Sequence, residues 1–157
     1  MDACNPNFTP TGLADARRES FLLTVGAQDT TASFISSLLH LIITHPRIYA
    51  ILLAEISQAN LSPIPLYDET CQLTYFMACV QESLRLASPV CLPLPRYAPL
   101  EGMVLNGILV GKGAEVGANP YVIHSNKEIY GEDAESFRPE RWLEATPEQL
   151  RYVLLRA

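Results

Sequence analysis

ADARRESFLLTVGAQDTTASFISSLLHLIITH, residues 14–45, is the stretch whose reading decides the fold. It reads as one long helix, expected from roughly Leu13 to Thr44, and at ~1.5 Å per residue it spans about 45 Å, enough to cross a domain. Its centre is unusual. Gly26-Ala27-Gln28-Asp29-Thr30-Thr31 sets a carboxylate and two hydroxyls between the apolar runs Phe21, Leu22, Leu23, Val25 and Phe34, Ile35, Leu38, Leu39, Leu41, Ile42, Ile43. After Thr31 the helix is apolar on nearly every side, which predicts burial. Threonine hydroxyls bond back to carbonyls one turn earlier and bend helices. The stretch therefore predicts a buried helix, kinked at its centre, that offers Asp29 and Thr30 to an interior space. A core helix with a few satisfied polar residues accounts for the same letters.

The 157 residues suffice for one domain with a sizeable core. Hydrophobic residues make up 48% and charged ones only 18%, so some surface is expected to need cover from other structure. The net charge of −6 comes with no basic stripe, which argues against nucleic acid. No uninterrupted apolar run approaches the ~20 residues of a membrane span, and MDACNPNFTP lacks the build of a signal peptide. Cys4, Cys71, Cys79 and Cys91 show no CxxC spacing, which disfavours structural zinc and a disulfide framework and fits reduced thiols inside the cell.

Outward from the long helix, residues 1–12 carry Pro6, Pro10 and Gly12 and predict an irregular tail, leaving 13–157 as the domain. His45-Pro46 ends the long helix, and Pro46 opens a second one, PRIYAILLAEISQAN. Residues 61–72 read as a connector. A third helix is expected from about Thr74 to Ala87, with Leu73, Phe76, Met77, Val80 and Leu84 as its apolar face. Four prolines from Pro89 to Pro99 impose an extended path. MVLNGILV (103–110) predicts a hairpin turning at Asn106-Gly107. A strand follows in AEVGANP, then a short helix from Pro120 across 120–130, then a helix start at Thr146-Pro147-Glu148-Gln149. Helices first and short strands after give an α+β class, mainly α.

Two further groups stand out. Glu82 and Arg85, three apart, share a helix face and can pair. Phe137-Arg138-Pro139-Glu140-Arg141-Trp142 places Arg141 in a proline-fixed turn, where its planar fork can reach a carboxylate on another segment. His40, His45 and His124 lie near no nucleophile-elbow pattern, so a Ser/His/Asp hydrolase is disfavoured, and the five-residue gap from His40 to His45 does not suit a metal pair.

Taken in this order, the chain resembles the cytochrome P-450 family of haem-thiolate monooxygenases, particularly fungal members of the pisatin demethylase and benzoate para-hydroxylase type. GAQDTT resembles the (A/G)Gx(D/E)TT signature of the distal helix, QESLRL the ExxR helix, LPLPR the strand whose arginine meets a haem propionate, and FRPERW the PERF/PERW motif. The resemblance implies the central-to-C-terminal part of that fold. It implies iron and haem binding, O2 activation, hydroxylation of a small apolar substrate, electrons from an NADPH-dependent reductase, and the endoplasmic reticulum membrane for the full-length protein.

By the same resemblance Thr30 and Asp29 are the catalytic pair, one holding dioxygen and its water, the other feeding protons. Gly26, Ala27 and Thr31 lie over the haem, and Arg96 neutralises a propionate. Glu82, Arg85 and Arg141 form a structural triad, and His124 is structural. Without the resemblance Asp29 and Thr30 are equally core polar residues and Arg96 a surface cation. The family's cysteine loop FxxGxRxCxG does not occur before Ala157, and none of the four cysteines sits in its context, so no metal ligand is assigned. The expectation is an inactive fragment of a monooxygenase, intracellular as it stands. The alternative is a non-catalytic helical interaction module or a pseudogene product. Phe21, Leu22, Leu38, Leu39, Ile42 and Ile43 outnumber what the remaining helices can cover, so association of the isolated chain is expected.

Overall fold

A computed structural model describes residues 13–146. The long helix is present and unbroken in path: α1 (Leu13–Gly26) runs into a π-helical segment (Ala27–Ala32) and on into α2 (Ser33–Thr44). The expected kink takes the form of this wider turn, the usual way a helix absorbs a local disturbance of its ladder. Thr30 Oγ1 donates to the Gly26 carbonyl at 2.6 Å, the back-bond that its position predicts. The sharp change of direction comes at His45, where α3 (Pro46–Gln58) leaves at 105° to the long helix. Proline at the first position of α3 gives up an N–H that no turn could use there. No described helix alone is long and apolar enough to cross a membrane.

The core lies where α2, α3 and α5 (Thr74–Leu86) meet. Leu38 and Ile42, Ile48 and Leu52, and Tyr75 and Cys79 close on one another and on Phe137, with Phe34, Leu41, Phe76, Val80 and Leu86 packed around them. Each such aliphatic side chain withdrawn from water contributes about 1.5–3 kcal/mol. The His45 ring stands edge-on to Phe137 at 5.3 Å, fixing the corner between α2 and α3 to this core.

Burial of the whole long helix does not occur. Among its described residues only Leu38 and Ile42 are buried, while Phe21 (67% exposed), Leu22, Leu23, Leu39 and Ile43 (67%) face outward. No described element packs extensively against α1, so its apolar side chains have nothing to bury against.

The face of α5 matches the expected one at Leu73, Phe76, Met77 and Val80, which are buried or half-buried, and departs from it at Leu84. Tyr75, Ala78, Cys79, Glu82, Ser83 and Arg85 point inward, whereas Leu84 is 41% exposed. The helix turns this way because its buried stripe carries an ion network described below. A carboxylate sets its start: Glu55 of α3 accepts from the N–H groups of Tyr75 (2.7 Å) and Phe76 (2.9 Å). Those donors have no partner within the helix, and the negative charge suits a helix N-terminus.

The 61–72 connector contains a short helix, α4 (Tyr67–Cys71). It forms because Glu69 reaches back to the Leu66 N–H at 2.6 Å and to the Ser62 hydroxyl at 2.7 Å.

The β region is small. β1 (Leu94–Tyr97) pairs antiparallel with β4 (Glu115–Ala118), Leu94 opposite Ala118. Between them β2 (Met103–Leu105) and β3 (Ile108–Val110) form the expected hairpin. Its turn has φ 48° at Asn106 and 81° at Gly107, the double left-handed turn that Asn-Gly favours. The expected helix over 120–130 is two short ones, α6 (Pro120–His124) and α7 (Lys127–Tyr130). Asn119 and Asn126 each cap one of them, accepting from the N–H two residues on, and the second cap ends the first helix. α8 (Glu140–Glu144) follows. The expected helix start at 146–149 and the tail at 1–12 fall outside the described residues or on their edge. Helices plus two small sheets give the mainly helical α+β architecture that the sequence predicts.

Candidate functional site

Two sets of the sequence-predicted residues occupy different surroundings. The first lies on the π-helical segment. Gly26, Ala27, Asp29, Thr30 and Thr31 are all exposed. A side chain added at Gly26 would meet nothing within 4 Å, so this flank of the helix is uncovered. Arg96 sits on β1, exposed, with its Nη1 donating only to the adjacent Pro95 carbonyl at 2.9 Å. None of the described ion pairs involves it. Beyond Thr31 the helix borders a pocket of about 340 Å³ lined by Ser36, Ser37, His40 and Leu41 with Leu86 and Ala87 at the end of α5.

The second set is a closed network, and here Glu82, Arg85 and Arg141 come together. Glu82 is 0% exposed and takes five donors. Arg85 grips it with two parallel bonds, Nη2 to Oε1 at 2.7 Å and Nε to Oε2 at 2.9 Å. Arg141 Nε reaches Oε1 at 2.9 Å, the Arg138 backbone N–H reaches the same oxygen at 3.1 Å, and Trp142 Nε1 donates to Oε2 at 2.8 Å. Burial pushes the Glu82 carboxyl up. The Arg85 bonds and charge, with the Arg138 N–H and Arg141, outweigh that and hold it below the usual carboxylate range.

The remaining donors of Arg85 and Arg141 are engaged too. Arg85 Nη1 serves the His124 carbonyl at 2.7 Å and the Ala134 carbonyl at 2.6 Å, and the guanidinium stacks over Tyr130 at 4.8 Å. Arg141 serves the Tyr130 carbonyl at 2.6 Å and the Asp133 carbonyl at 3.0 Å. Asp133 also meets Arg141 at 3.3 Å and Arg138 at 2.7 Å, and Arg138 meets Glu144 at 2.6 Å. Three carboxylates thus balance three guanidiniums across α5, the 131–139 loop and α8.

Asp133, Trp142 and Tyr130 are participants that the sequence reading gave no role. Trp142 had a signal, since it is the chain's single tryptophan and adjoins Arg141. Asp133 had none, because it lies in an irregular loop where spacing carries no geometry. His124 enters mainly through its backbone oxygen, and its Nδ1 is buried without a hydrogen-bond partner among the described residues.

Of the described cysteines, Cys71 and Cys91 are exposed and Cys79 is buried. Burial, with the neighbouring Glu140, Glu55 and Glu82 charges, pushes the Cys79 thiol up to about 12. It stays a thiol at neutral pH.

A sequence model of the cytochrome P450 family matches residues 9–153. The chain belongs to the cytochrome P450 family. It is 38% identical over 143 residues to a cytochrome P450 monooxygenase of Aspergillus flavus, covering 87% of this chain and 28% of that protein. It is 41% identical over 120 residues to the monooxygenase cicH of Emericella nidulans, covering 74% and 24%. It is 40% identical over 124 residues to a pisatin demethylase of Fusarium vanettenii, covering 78% and 24%. The chain spans about a quarter of the length of these P450 relatives, and the family implies a haem cofactor.

Proposed function

We propose that this chain carries the oxygen-side helix and the ion network of a haem-dependent monooxygenase acting on a small apolar substrate, with an NADPH-dependent reductase as electron source. The observation that carries the reading is the pairing, in one P450-family chain, of an exposed Asp-Thr on a π-helical turn with a buried five-donor Glu82.

The residues present fit one side of a haem. Gly26 and Ala27 leave the helix flank low enough for a planar ring to approach, and Arg96 has a guanidinium free of carboxylate partners for a propionate. Haem, when bound, supplies the redox chemistry that activates dioxygen. Thr30 holds a hydroxyl proton at Oγ1, already oriented by its 2.6 Å bond to Gly26. Asp29, one residue earlier and open to water, exchanges protons with solvent beside it. Glu82, Arg85 and Arg141 touch none of this directly and hold α5 and α8 in register. No described cysteine suits the axial position, so the chain alone is inactive in this reading.

The test is a chimera. The matching quarter of the Aspergillus flavus relative is replaced by residues 13–151 of this chain, and the reduced carbonyl spectrum and oxygen coupling are recorded. The expected outcome is a thiolate-type spectrum, with Thr30→Ala raising unproductive peroxide release, as the loss of a proton-delivery group should. A folded chimera without that spectrum, or a Thr30→Ala chimera as well coupled as its parent, overturns the reading. The interaction-module alternative draws on one observation, the exposed Phe21, Leu22, Leu39 and Ile43.

A further inference from the structure

Beside the Glu82 network lies a second carboxylate with its own partners. Glu140 opens α8, next to Arg141, and its Oε1 accepts from Arg47 Nη1 at 2.7 Å and from the Tyr75 hydroxyl at 3.0 Å. Arg47 is in the first turn of α3 and Tyr75 in the first turn of α5, so one oxygen ties α8 to two core helices. Adjacent residues of α8 therefore pull in different directions, Glu140 toward α3 and the start of α5, Arg141 and Trp142 toward Glu82.

A five-residue helix has no stability of its own, since nucleation costs more than its few bonds return. Its position must come from side-chain anchors. The other Glu140 oxygen, Oε2, is buried with no hydrogen-bond partner among the described residues. Leaving an acceptor unsatisfied is unfavourable, so the carboxylate is held there by its Oε1 bonds against that cost. The Arg47 hydrogen bond, helped by the Glu140 backbone N–H, the Tyr75 hydroxyl and last by the Arg47 charge, draws the Glu140 carboxyl below its usual range despite burial.

We propose that Glu140 is a positioning residue: the Arg47–Glu140–Tyr75 bridge sets the seat of α8 and so aims Trp142 Nε1 and Arg141 Nε at Glu82. The bridge rests on the network's geometry and not on haem binding, so a failed chimera leaves it standing. It also makes the first turn of α3, just past the end of the long helix, part of what aligns α8.

Trp142 is the chain's only tryptophan, so its indole reports the seat of α8 without labelling. The readout is hydrogen exchange of the Trp142 indole N–H in the full 157-residue chain, beside the slow backbone amides of α3 and α5. It is local and does not require a monomer. Glu140→Ala is expected to speed indole exchange about tenfold and Arg47→Met about threefold, as a local opening rather than global unfolding. Arg47→Lys, which keeps the charge, is expected to restore the parent rate. Lys127→Met, which breaks the exposed Lys127–Glu132 pair away from α8, is the control and should change nothing. If Glu140→Ala does not fold, Arg47→Met and Arg47→Lys carry the test. Indole exchange within twofold of the parent in Arg47→Met overturns the proposal. So does a rise shared equally by the α3 and α5 amides, or an Arg47→Lys chain that behaves like Arg47→Met.

Discussion

The Glu82 network and the Asp29–Thr30 turn lie in the same chain but follow opposite rules. At Glu82 the central charges, Glu82, Arg85 and Arg141, are buried, paired and hydrogen-bonded within residues 82–144. At Asp29 and Thr30 nothing is buried, and the only side-chain bond is Thr30 to its own helix. The network is complete in itself. The turn is a surface whose chemistry depends on what is laid against it. One region is tied together within this chain, and the other is left open to solvent.

The largest expected effect tests the first half of that contrast. Glu82→Gln keeps the shape and removes the charge, leaving the buried Arg85 and Arg141 without their shared counter-ion. Breaking a buried ion pair from one side costs about 3–5 kcal/mol, a large share of the ~5–15 kcal/mol that holds an ordinary domain together. Denaturant melts should show most of the stability gone. The wild-type chain should show the same dependence as a function of pH. The folded-state pKa of Glu82 lies below its unfolded value, so its stabilisation is full above the ordinary carboxylate range and is lost as pH falls through the folded pKa. In Glu82→Gln that acid-side loss should shrink. A Gln variant as stable as the parent would break the comparison.

The second effect concerns the open half. Phe21 and Ile43, both 67% exposed, lie in opposite halves of the long helix. Exposed apolar patches of this kind drive association. The wild-type chain is expected to elute from size exclusion as oligomers, and the double variant Phe21→Ser, Ile43→Ser to shift toward the 17.4 kDa monomer. A wild-type chain that is already a sharp-melting monomer would mean that the long helix finds cover elsewhere, and would favour the interaction-module alternative.

What the sequence made legible divides along the same line. The long helix, the proline start of α3, the α5 helix and the Asn-Gly hairpin were readable, because local chemistry fixes each of them. GAQDTT was readable as a polar interruption, because polar residues inside an apolar helix conflict with its pattern. The inward face of α5 was readable only in part. Counting apolar residues puts Leu84 inside, but the stripe that turns inward contains Glu82 and Arg85, and only a partner 59 residues from Glu82, Arg141, explains why. Asp133 was illegible for the same reason, since its role exists only once α8 is seated. Burial of the long helix is not legible either, because periodicity tells which side prefers to be covered and not whether cover is present.

A smaller effect sharpens the boundary of the network. His124 gives its carbonyl to Arg85, while its Nδ1 is buried without a partner. Burial lowers its pKa, and the Arg85 charge lowers it further against the hydrogen bond. The folded protein therefore prefers the neutral ring. Stabilisation from His124 is full above the ordinary histidine pKa of ~6.5 and is lost as pH falls from there toward the folded value. Thermal melts should show a shallow decline below pH ~6.5, distinct from the steeper carboxylate loss at lower pH. His124→Gln should abolish the shallow stage and keep the steep one. If the shallow stage survives in that variant, another group titrates there and the network's edge lies elsewhere.

The smallest effect is the one that separates the two regions most cleanly. Thr30 is exposed, and its hydroxyl bonds only to the Gly26 carbonyl one turn back. That bond serves an oxygen that water or the helix could satisfy, and alanine is the better helix former. Thr30→Ala in the isolated chain should thus change unfolding free energy by no more than about ±0.5 kcal/mol, the range of a surface substitution. The same substitution in the chimera is expected to alter oxygen coupling strongly. A residue neutral for this chain's folding and decisive for the assembled protein's chemistry is what an incomplete reactive surface predicts. If denaturant melts instead show a loss of 2 kcal/mol or so, well outside the surface range, Thr30 is part of a core, and the plain helix reading of residues 14–45 replaces the functional one.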